Sequence, residues 1–274
     1  IFPLNWNEFL GFKQAEPTSL PHAQVLNLLR EYLTFGGLPE IVLANEGLKP
    51  LILTEYFRTF VARDLVERYK LRKKEALTDL LRLLPNTQSF TYSKLTNSLK
   101  SMGHAVSKGT VIRYMQWLSW SFFQCSIEVH SANVKTRAQS VKKSYLVDNY
   151  FTSQFSSNLS MNLGYLMEQA VFHKLYAKSV WDPRFELSYW KDYLGNEVDF
   201  VMLYNKEVKE LIQVTYALAA SDIAERETKD LVKAAKALNL TSGTLVTWDV
   251  AETKTLDGIT ISYIPFEKWL ELDQ

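Results

Sequence analysis

Two stretches in the last third of the chain carry polar side chains where buried strands normally carry apolar ones. Glu197 and Asp199 open an apolar run that extends to Tyr204, and Gln213 and Thr215 lie in the next run. The β-branched and aromatic residues of both runs, separated by a short polar turn, predict a β-hairpin. Because alternate side chains of a strand share a face, the two members of each pair lie about 6.5–7 Å apart on one side. The pattern predicts either a solvent-facing surface or the rim of a functional site.

With a full set of acidic and basic residues, these positions would form a divalent metal site. Glu168, on a predicted helix directly before the hairpin, would join Asp199 and a third acid on the second strand, because Mg²⁺ prefers hard oxygen ligands. A lysine two residues after that acid would orient or activate a water molecule. These last two positions hold Gln213 and Thr215, which supply neither a negative nor a positive charge. We therefore interpret the hairpin as the frame of a lost catalytic site.

Charge is distributed unevenly along a chain whose formal net charge is only +1. Between residues 86 and 145 there are eight basic residues and one acid, a balance of 8 − 1 = +7. Residues 182–274 hold 17 acids and 10 basic residues, a balance of 10 − 17 = −7. A basic segment within a balanced chain indicates an anionic partner for that segment.

The predicted elements of the basic segment follow the order of a winged helix-turn-helix: helix, turn, helix, strand, loop, strand. The helices are expected at residues 91–100 and 108–119, and the loop at residues 130–139. The exposed residues of the second helix and of the loop, which would be the wing, are expected to contact DNA phosphates. A structural winged helix with a solvated basic surface is the alternative. The predicted DNA-binding residues are Lys94, Lys108, Thr110, Arg113, Gln116, Lys135, Arg137, Lys142 and Lys143.

Other classes of function are excluded by motifs that the sequence lacks. It contains no G-x-x-x-x-G-K-[ST] motif, so this chain does not bind ATP in the manner of a P-loop protein. Cys125 is the single cysteine, which excludes internal disulfides and a cysteine zinc site and favours a cytoplasmic location. No apolar run approaches the roughly 18 residues that span a bilayer, so we expect no membrane partner.

A series of short segments is spread over nearly the whole chain. The segments are Phe2-Pro3-Leu4, Glu8-Phe9-Leu10, Phe35-Gly36-Gly37-Leu38-Pro39-Glu40, Val61-Ala62-Arg63-Asp64-Leu65, Thr110-Val111-Ile112-Arg113-Tyr114, Tyr145-Leu146-Val147-Asp148, Gly164 with Glu168, and Glu197-Val198-Asp199-Phe200. In their order and spacing they resemble the region that follows the P-loop domain in a group of prokaryotic, especially archaeal, AAA+ ATPases. The resemblance implies that an N-terminal ATPase domain precedes Ile1, that ATP and Mg²⁺ bind only there, and that residues 1–50 are its helical, lid-like remnant.

The same resemblance implies an α+β, multidomain fold. A winged helix-turn-helix domain would occupy residues 51–150, and a restriction-endonuclease-like domain with αβββαβ order, the fold of the PD-(D/E)XK nucleases, residues 151–274. Carried over by position, the metal acids of that family fall on Glu168 and Asp199. Its Glu-x-Lys falls on Gln213-Val214-Thr215, where this sequence departs. Because the two metal acids are present, Mg²⁺ at this nuclease-like site is the one cofactor that the resemblance implies for this chain.

Three functions remain open from the sequence. The leading hypothesis is the DNA-binding C-terminal part of an AAA+ ATPase-like protein, with a nuclease-fold domain that has lost catalysis. The second is a Mg²⁺-dependent DNA nuclease whose catalytic lysine has moved to Lys229 or Lys233 on the following helix. The third is a protein-interaction scaffold. Besides DNA, the expected partners are another protein or, through the ATPase part, further copies of the same protein.

Overall fold

The structure, a computed structural model, describes residues 3–71, 74–156 and 162–272. The chain forms two compact units. The first consists of the described residues of 1–126 and 141–161, and the second of those of 127–140 and 162–274. The predicted mixed α+β, multidomain class is confirmed.

The α-helices and strands are numbered in chain order. The helices are α1 Trp6–Phe12, α2 His22–Phe35, α3 Pro39–Leu43, α4 Lys49–Thr59, α5 Glu75–Leu83, α6 Tyr92–Ser101, α7 Lys108–Trp120, α8 Val134–Gln139, α9 Asn149–Phe155, α10 Leu163–Trp181, α11 Glu225–Ala237 and α12 Phe266–Glu271. The strands are β1 Ser89–Phe90, β2 Gln124–Ile127, β3 Lys142–Leu146, β4 Phe185–Lys191, β5 Glu197–Tyr204, β6 Glu207–Val214, β7 Ser242–Thr247, β8 Glu252–Leu256 and β9 Ile259–Pro265. A π-helical segment, Phe60–Glu67, continues α4. Over the three described ranges, no helix is long and apolar enough to cross a bilayer.

The first unit packs its early helices and its basic region around one hydrophobic core. Leu53 of α4, Leu99 of α6 and Val111 of α7 are all fully buried in this core. Ile41 of α3 is fully buried in the same core, so helices on both sides of residue 50 share this apolar interior. The small sheet of this unit has the strand order β1-β3-β2, with β1 antiparallel to β3.

Asp148 connects the loop after α2 to the start of α9. Its carboxylate accepts the Gly37 N–H at 2.7 Å and the Tyr150 N–H at 2.8 Å, so that it caps α9 from a position only 1% exposed. Gly36 has a φ of +70°, and a Cβ added there would lie 1.8 Å from the Asp148 Oδ1. Glycine is required at this position both by the backbone angle and by the space that Asp148 occupies.

The stability of the first unit is expected to fall as the pH rises through the titration range of Asp148. Burial raises the pKa of this carboxyl from 3.8 to about 6, although the two backbone hydrogen bonds lower it. Because the folded state then holds the proton more tightly than the unfolded state, stability is greatest below about pH 4 and declines until about pH 6, by about 3 kcal/mol from this group.

Urea unfolding of the wild type and of Asp148→Asn at a series of pH values checks this expectation. Asp148→Asn lacks the titrating carboxyl, so its stability should vary less between pH 4 and 7 than that of the wild type. Asp64→Asn removes an exposed carboxyl of the same unit and should leave the wild-type profile unchanged. If the stability of the wild type and of Asp148→Asn changed with pH in the same way, the raised pKa of Asp148 would not be the cause of the pH dependence.

The second unit is built on a mixed sheet whose described strands have the order β4-β5-β6-β7-β9-β8. Strands β4, β5 and β6 are antiparallel neighbours, whereas β6, β7 and β9 run parallel. Phe200 and Ile212 alternate with Val201 and Leu211, and all four are fully buried, so both faces of the sheet are covered. Helix α11 packs on the face that carries Val201 and Leu211.

The prediction of a loop at residues 130–139 is wrong. Tyr189 of β4 exchanges backbone hydrogen bonds with Glu128 and His130, which attaches this segment to the sheet of the second unit. Residues 134–139 then form α8, because the Asn133 side chain accepts the amides of the first helical turn and good helix formers follow it. The segment expected to be the wing of the basic domain is a short helix that belongs to the second unit.

Candidate functional site

Asp199 and Gln213 lie on the adjoining strands β5 and β6, and each is 7% exposed. The Asp199 N–H donates to Gln213 Oε1 at 3.0 Å, and the Val214 N–H donates to Asp199 Oδ2 at 2.9 Å. The predicted juxtaposition of these two polar residues is therefore correct, but they are buried rather than presented to solvent. Glu197, by contrast, pairs with Lys191 at 2.8 Å at the surface.

Glu227, in the first turn of α11, extends this pair into a chain of three polar side chains. Gln213 Nε2 donates to Glu227 Oε2 at 2.5 Å, and Arg226 approaches the other carboxylate oxygen at 3.3 Å. Burial raises the pKa of Glu227, and the negative charge of Asp199 raises it further. Sequence reasoning missed Glu227; the available signal was an acid in the first turn of the amphipathic helix that follows β6.

Two of the oxygen atoms at this position already accept backbone N–H groups of the sheet. One oxygen of Asp199 accepts the Val214 amide, and the Gln213 oxygen accepts the Asp199 amide, while its NH₂ group is directed to Glu227. Glu168 lies half-buried on α10. Among the residues that the structure describes, no three His, Cys, Asp or Glu side chains are gathered in a way that could hold a metal ion.

The positions expected to supply a lysine also lack the required arrangement. Thr215 directly follows β6, and its N–H donates to the Val246 carbonyl at 2.9 Å, which continues the sheet. Lys229 forms an ion pair within α11, with Glu225 at 2.8 Å. Lys233 donates to Asn196 at 2.9 Å, in the turn between β4 and β5. Each candidate substitute lysine is therefore engaged with a partner other than Asp199.

Gln213→Glu is expected to destabilise the second unit in a pH-dependent manner. The substitution replaces a neutral donor by a second buried carboxyl next to Glu227 and close to Asp199. We expect the free energy of unfolding to fall by about 2–4 kcal/mol near pH 8, and by less near pH 5, where one of the acids is protonated. Chemical unfolding at the two pH values measures this difference.

Gln213→Met is the matched control because it removes the same hydrogen bonds without adding charge. Its loss of stability should be similar at both pH values. If Gln213→Glu were as stable as the wild type at pH 8, the Asp199–Gln213–Glu227 chain would not be a buried network that depends on a neutral central residue.

The exposed cations of α6 and α7 define a second candidate site, which we call the basic surface: Lys94, Lys100, Lys108 and Arg113. None of the four has a carboxylate partner among the described residues. The nearest preceding acid in the sequence, Asp79, is occupied by His104 at 2.7 Å and Arg82 at 2.9 Å. Lys100 was not among the predicted DNA-binding residues, although it contributes to the same charge.

Basic residues of the second unit are mostly neutralised by neighbouring acids. The cations of the basic surface differ from them, because they have no neighbouring carboxylate in the described part of the chain. The ion pairs of the second unit include Arg184–Asp182, Lys191–Glu197, Lys209–Glu207, Lys229–Glu225, Lys236–Asp257, Lys254–Glu252 and Lys268–Glu271.

The two predicted polar contacts on α7 differ in accessibility. Gln116 is exposed, whereas Thr110 is half-buried, and its hydroxyl lies 3.0 Å from the Ser107 hydroxyl. Ser107 caps the helix by accepting the Thr110 N–H at 3.1 Å. Gln116 thus remains available to a ligand, and Thr110 contributes mainly to the start of α7.

The predicted wing residues are not part of the basic surface. Lys135 is exposed on α8, and the half-buried Arg137 donates to the Ser131 carbonyl at 2.7 Å, but both belong to the second unit. Lys142 and Lys143 lie in β3, hydrogen-bonded to strands on both sides, and are only 5% and 7% exposed. The expectation that these two lysines face phosphates is wrong, because the central position of β3 buries both of its faces.

Comparison with known proteins gives matches to two families whose function is unknown. Residues 26–156 match the domain of unknown function DUF8612, and residues 163–269 match the domain of unknown function DUF4143. The second match begins with α10 and ends within α12, so it covers most of the second unit.

Relatives of this chain occur in both archaea and bacteria. An uncharacterized protein of Methanocaldococcus jannaschii is 32% identical over 98% of this chain, and an uncharacterized protein of Haemophilus influenzae is 25% identical over 96% of it. The chain spans 62% of the length of each of these relatives. No solved structure gives a significant match.

Proposed function

We propose that this chain is a DNA-binding module whose first unit contacts phosphates through the basic surface. In this proposal the second unit keeps a nuclease-like fold without metal-dependent catalysis. The observation that carries the proposal is that Lys94, Lys100, Lys108 and Arg113 are exposed without a carboxylate partner in the described part of the chain. Exposed cations of this kind bind nucleic acid by neutralising phosphates and releasing counterions.

The order of elements in the first unit supports a winged helix-turn-helix. Helix α5, strand β1, helices α6 and α7, and strands β2 and β3 follow one another, and the sheet has the order β1-β3-β2. In such a domain the second helix of the pair lies in the major groove, with residues near its N-terminus closest to the DNA. Lys108 is the first residue of α7, and Arg113 follows at the second turn.

The second unit supports a nuclease-like fold that has lost its chemistry. Helix α10, the antiparallel strands β4 to β6, helix α11 and the parallel strand β7 reproduce the αβββαβ order. The hydrogen-bonded chain of Asp199, Gln213 and Glu227 contains one of the two acids that the resemblance implies, Asp199, and has Gln213 where the resemblance implies the Glu of Glu-x-Lys. A buried neutral amide at its centre, bonded to Asp199 and Glu227, supports a structural role for these residues.

The proposal places this module in a longer AAA+ ATPase-like protein. The sequence resemblance and the 62% coverage of the relatives support this context. ATP hydrolysis would then belong to the other part of that protein.

Fluorescence anisotropy with two labelled DNA duplexes of unrelated sequence tests the DNA-binding proposal. We expect both duplexes to bind with affinities that agree within a few-fold, because phosphate contacts carry no base information. Failure to bind either duplex at low salt would overturn the proposal. Elution of the chain as a defined complex with a protein partner, without DNA affinity, would favour the scaffold function instead.

Incubation of supercoiled plasmid with Mg²⁺ or Mn²⁺ tests the loss of catalysis. We expect no cleavage by the wild type, since Gln213 and Thr215 replace the charged residues. Cleavage by the wild type that disappears in Asp199→Ala would establish the nuclease alternative. Cleavage that persists in Asp199→Ala would identify a contaminating enzyme.

A further inference from the structure

A cleft with a volume of about 380 Å³ opens beside α6 in the first unit. It lies between the end of α5, the start of β1 and one side of α6. Its polar lining contains a single charged residue, a lysine, and no acid. The polar lining residues are Asn86, Thr87, Gln88, Ser89, Lys94 and Ser98.

Four of these side chains present hydrogen-bond donors that no protein group occupies within the described ranges: those of Gln88, Ser89, Lys94 and Ser98. The other two differ, since the Thr87 hydroxyl donates to the Leu83 carbonyl and the Asn86 side-chain oxygen accepts from Ser156.

Lys94 and Ser98 are one helical turn apart, so their side chains project from the same side of α6. Gln88 and Ser89 are exposed at the opposite wall, as Lys94 is on the helix. One ammonium group and three neutral donors, without a competing carboxylate, complement a group with several anionic oxygens. A phosphate has this chemistry, and charge-assisted hydrogen bonds to it are stronger than neutral ones.

We infer that this cleft is a phosphate-binding subsite. Lys94 neutralises the phosphate, and Gln88, Ser89 and Ser98 donate hydrogen bonds to its oxygens. The inference rests on the proposed function in assigning this phosphate to the backbone of duplex DNA; a free phosphate or a mononucleotide offers the same chemistry. In the DNA complex, the subsite adds the start of β1 to the contacts that α6 and α7 make.

Neutral substitutions separate this subsite from the general charge of the basic surface. Ser98→Ala and Gln88→Ala should each weaken duplex binding about 10- to 100-fold, the effect of losing one hydrogen bond to a charged group. Ser93→Ala, which removes an exposed hydroxyl of α6 outside the cleft, should leave the affinity unchanged. Lys94→Gln should weaken binding and also reduce the slope of log K against log salt by about 0.9.

Chemical-shift titration of the ¹⁵N-labelled chain with inorganic phosphate and with thymidine dinucleotide identifies the source of the phosphate. The backbone amides of residues 88, 89 and 98 should shift with both probes in the wild type, and much less in Lys94→Gln. Shifts with inorganic phosphate in a chain that does not bind duplex would support the subsite with a free anion as its ligand, and would overturn the proposed function.

The two proposals fail in distinguishable ways. Wild-type duplex affinity in both Ser98→Ala and Gln88→Ala, in a chain that loses binding on Lys108→Glu with Arg113→Glu, would overturn the subsite and keep the DNA-binding function. Absence of both duplex binding and phosphate-induced shifts would overturn both.

Discussion

Reversing two charges on α7, Lys108→Glu together with Arg113→Glu, is expected to weaken duplex DNA binding by about 100-fold or more at low salt. Both side chains are exposed at the N-terminal half of the helix, and neither has a carboxylate partner in the part of the chain described. Each reversal removes a cation that neutralises a phosphate and places an anion next to the DNA. The slope of log K against log salt should become smaller in magnitude by about 2, since two phosphate contacts are lost.

Lys206→Glu together with Lys236→Glu is the matched control. It changes the total charge by the same amount, but it alters exposed lysines of the second unit, one of which already pairs with Asp257. This variant should retain affinity within about twofold to threefold, apart from the general effect of net charge. Equal losses in the two double variants would show that total charge, and not the surface of α6 and α7, determines binding.

Gly36→Ala is expected to produce the largest loss of stability from a single methyl group, about 4 kcal/mol or more. The backbone of Gly36 has φ +70° and ψ −163°, a conformation that residues with a Cβ rarely adopt. The added Cβ would also lie 1.8 Å from the Asp148 carboxylate, so that the cap of α9 and its hydrogen bond to Gly37 would have to move. Chemical unfolding monitored by tryptophan fluorescence measures the effect.

Gly11→Ala serves as the control for this substitution. A Cβ at Gly11 meets no atom within 4 Å, and the residue lies in α1, where alanine is favoured over glycine. We expect this variant to be as stable as the wild type or more stable by about 0.5–1 kcal/mol. If Gly36→Ala unfolded with the same midpoint as Gly11→Ala, the junction with Asp148 would not be essential to the first unit.

The elements with a strong hydrophobic pattern could be predicted closely from the sequence. The predicted bounds of β5, residues 197–204, are the observed ones, and α7 differs from its predicted range by one residue. Strand β5 is a nearly continuous apolar run because both faces of its sheet are covered, and α7 has the helical periodicity that one covered face imposes on the sequence. Strand β8 was not predicted, because it carries only one large apolar residue. It lies at the edge of the sheet, and its extended conformation depends on pairing with β9.

Burial of charged residues could not be predicted from the same patterns. Lys142 and Lys143 have the composition of a solvated wing, yet the central position of β3 in its sheet buries both. A lysine can occupy such a position because its long aliphatic stem packs as an apolar group. The burial depends on which strands flank β3, and this arrangement is formed by residues far away in the sequence.

The candidate nuclease-like site was predictable in part. The hairpin pattern placed Asp199 and Gln213 on adjoining strands, and their hydrogen bond confirms that neighbourhood. Glu227 could not be identified in the same way, because its contact with Gln213 depends on how α11 packs against the sheet. The reason for a neutral side chain at position 213 is visible only when this second carboxylate is known, because Gln213 donates a hydrogen bond to it.

Duplex affinity measured across a series of salt concentrations tests the DNA-binding role of the basic surface most directly. Four phosphate contacts, by Lys94, Lys100, Lys108 and Arg113, predict a linear fall of log K with log salt and a slope of about −3 to −4. Binding that is absent at low salt, or an affinity that does not change with salt, would contradict a phosphate-contacting role for these four residues.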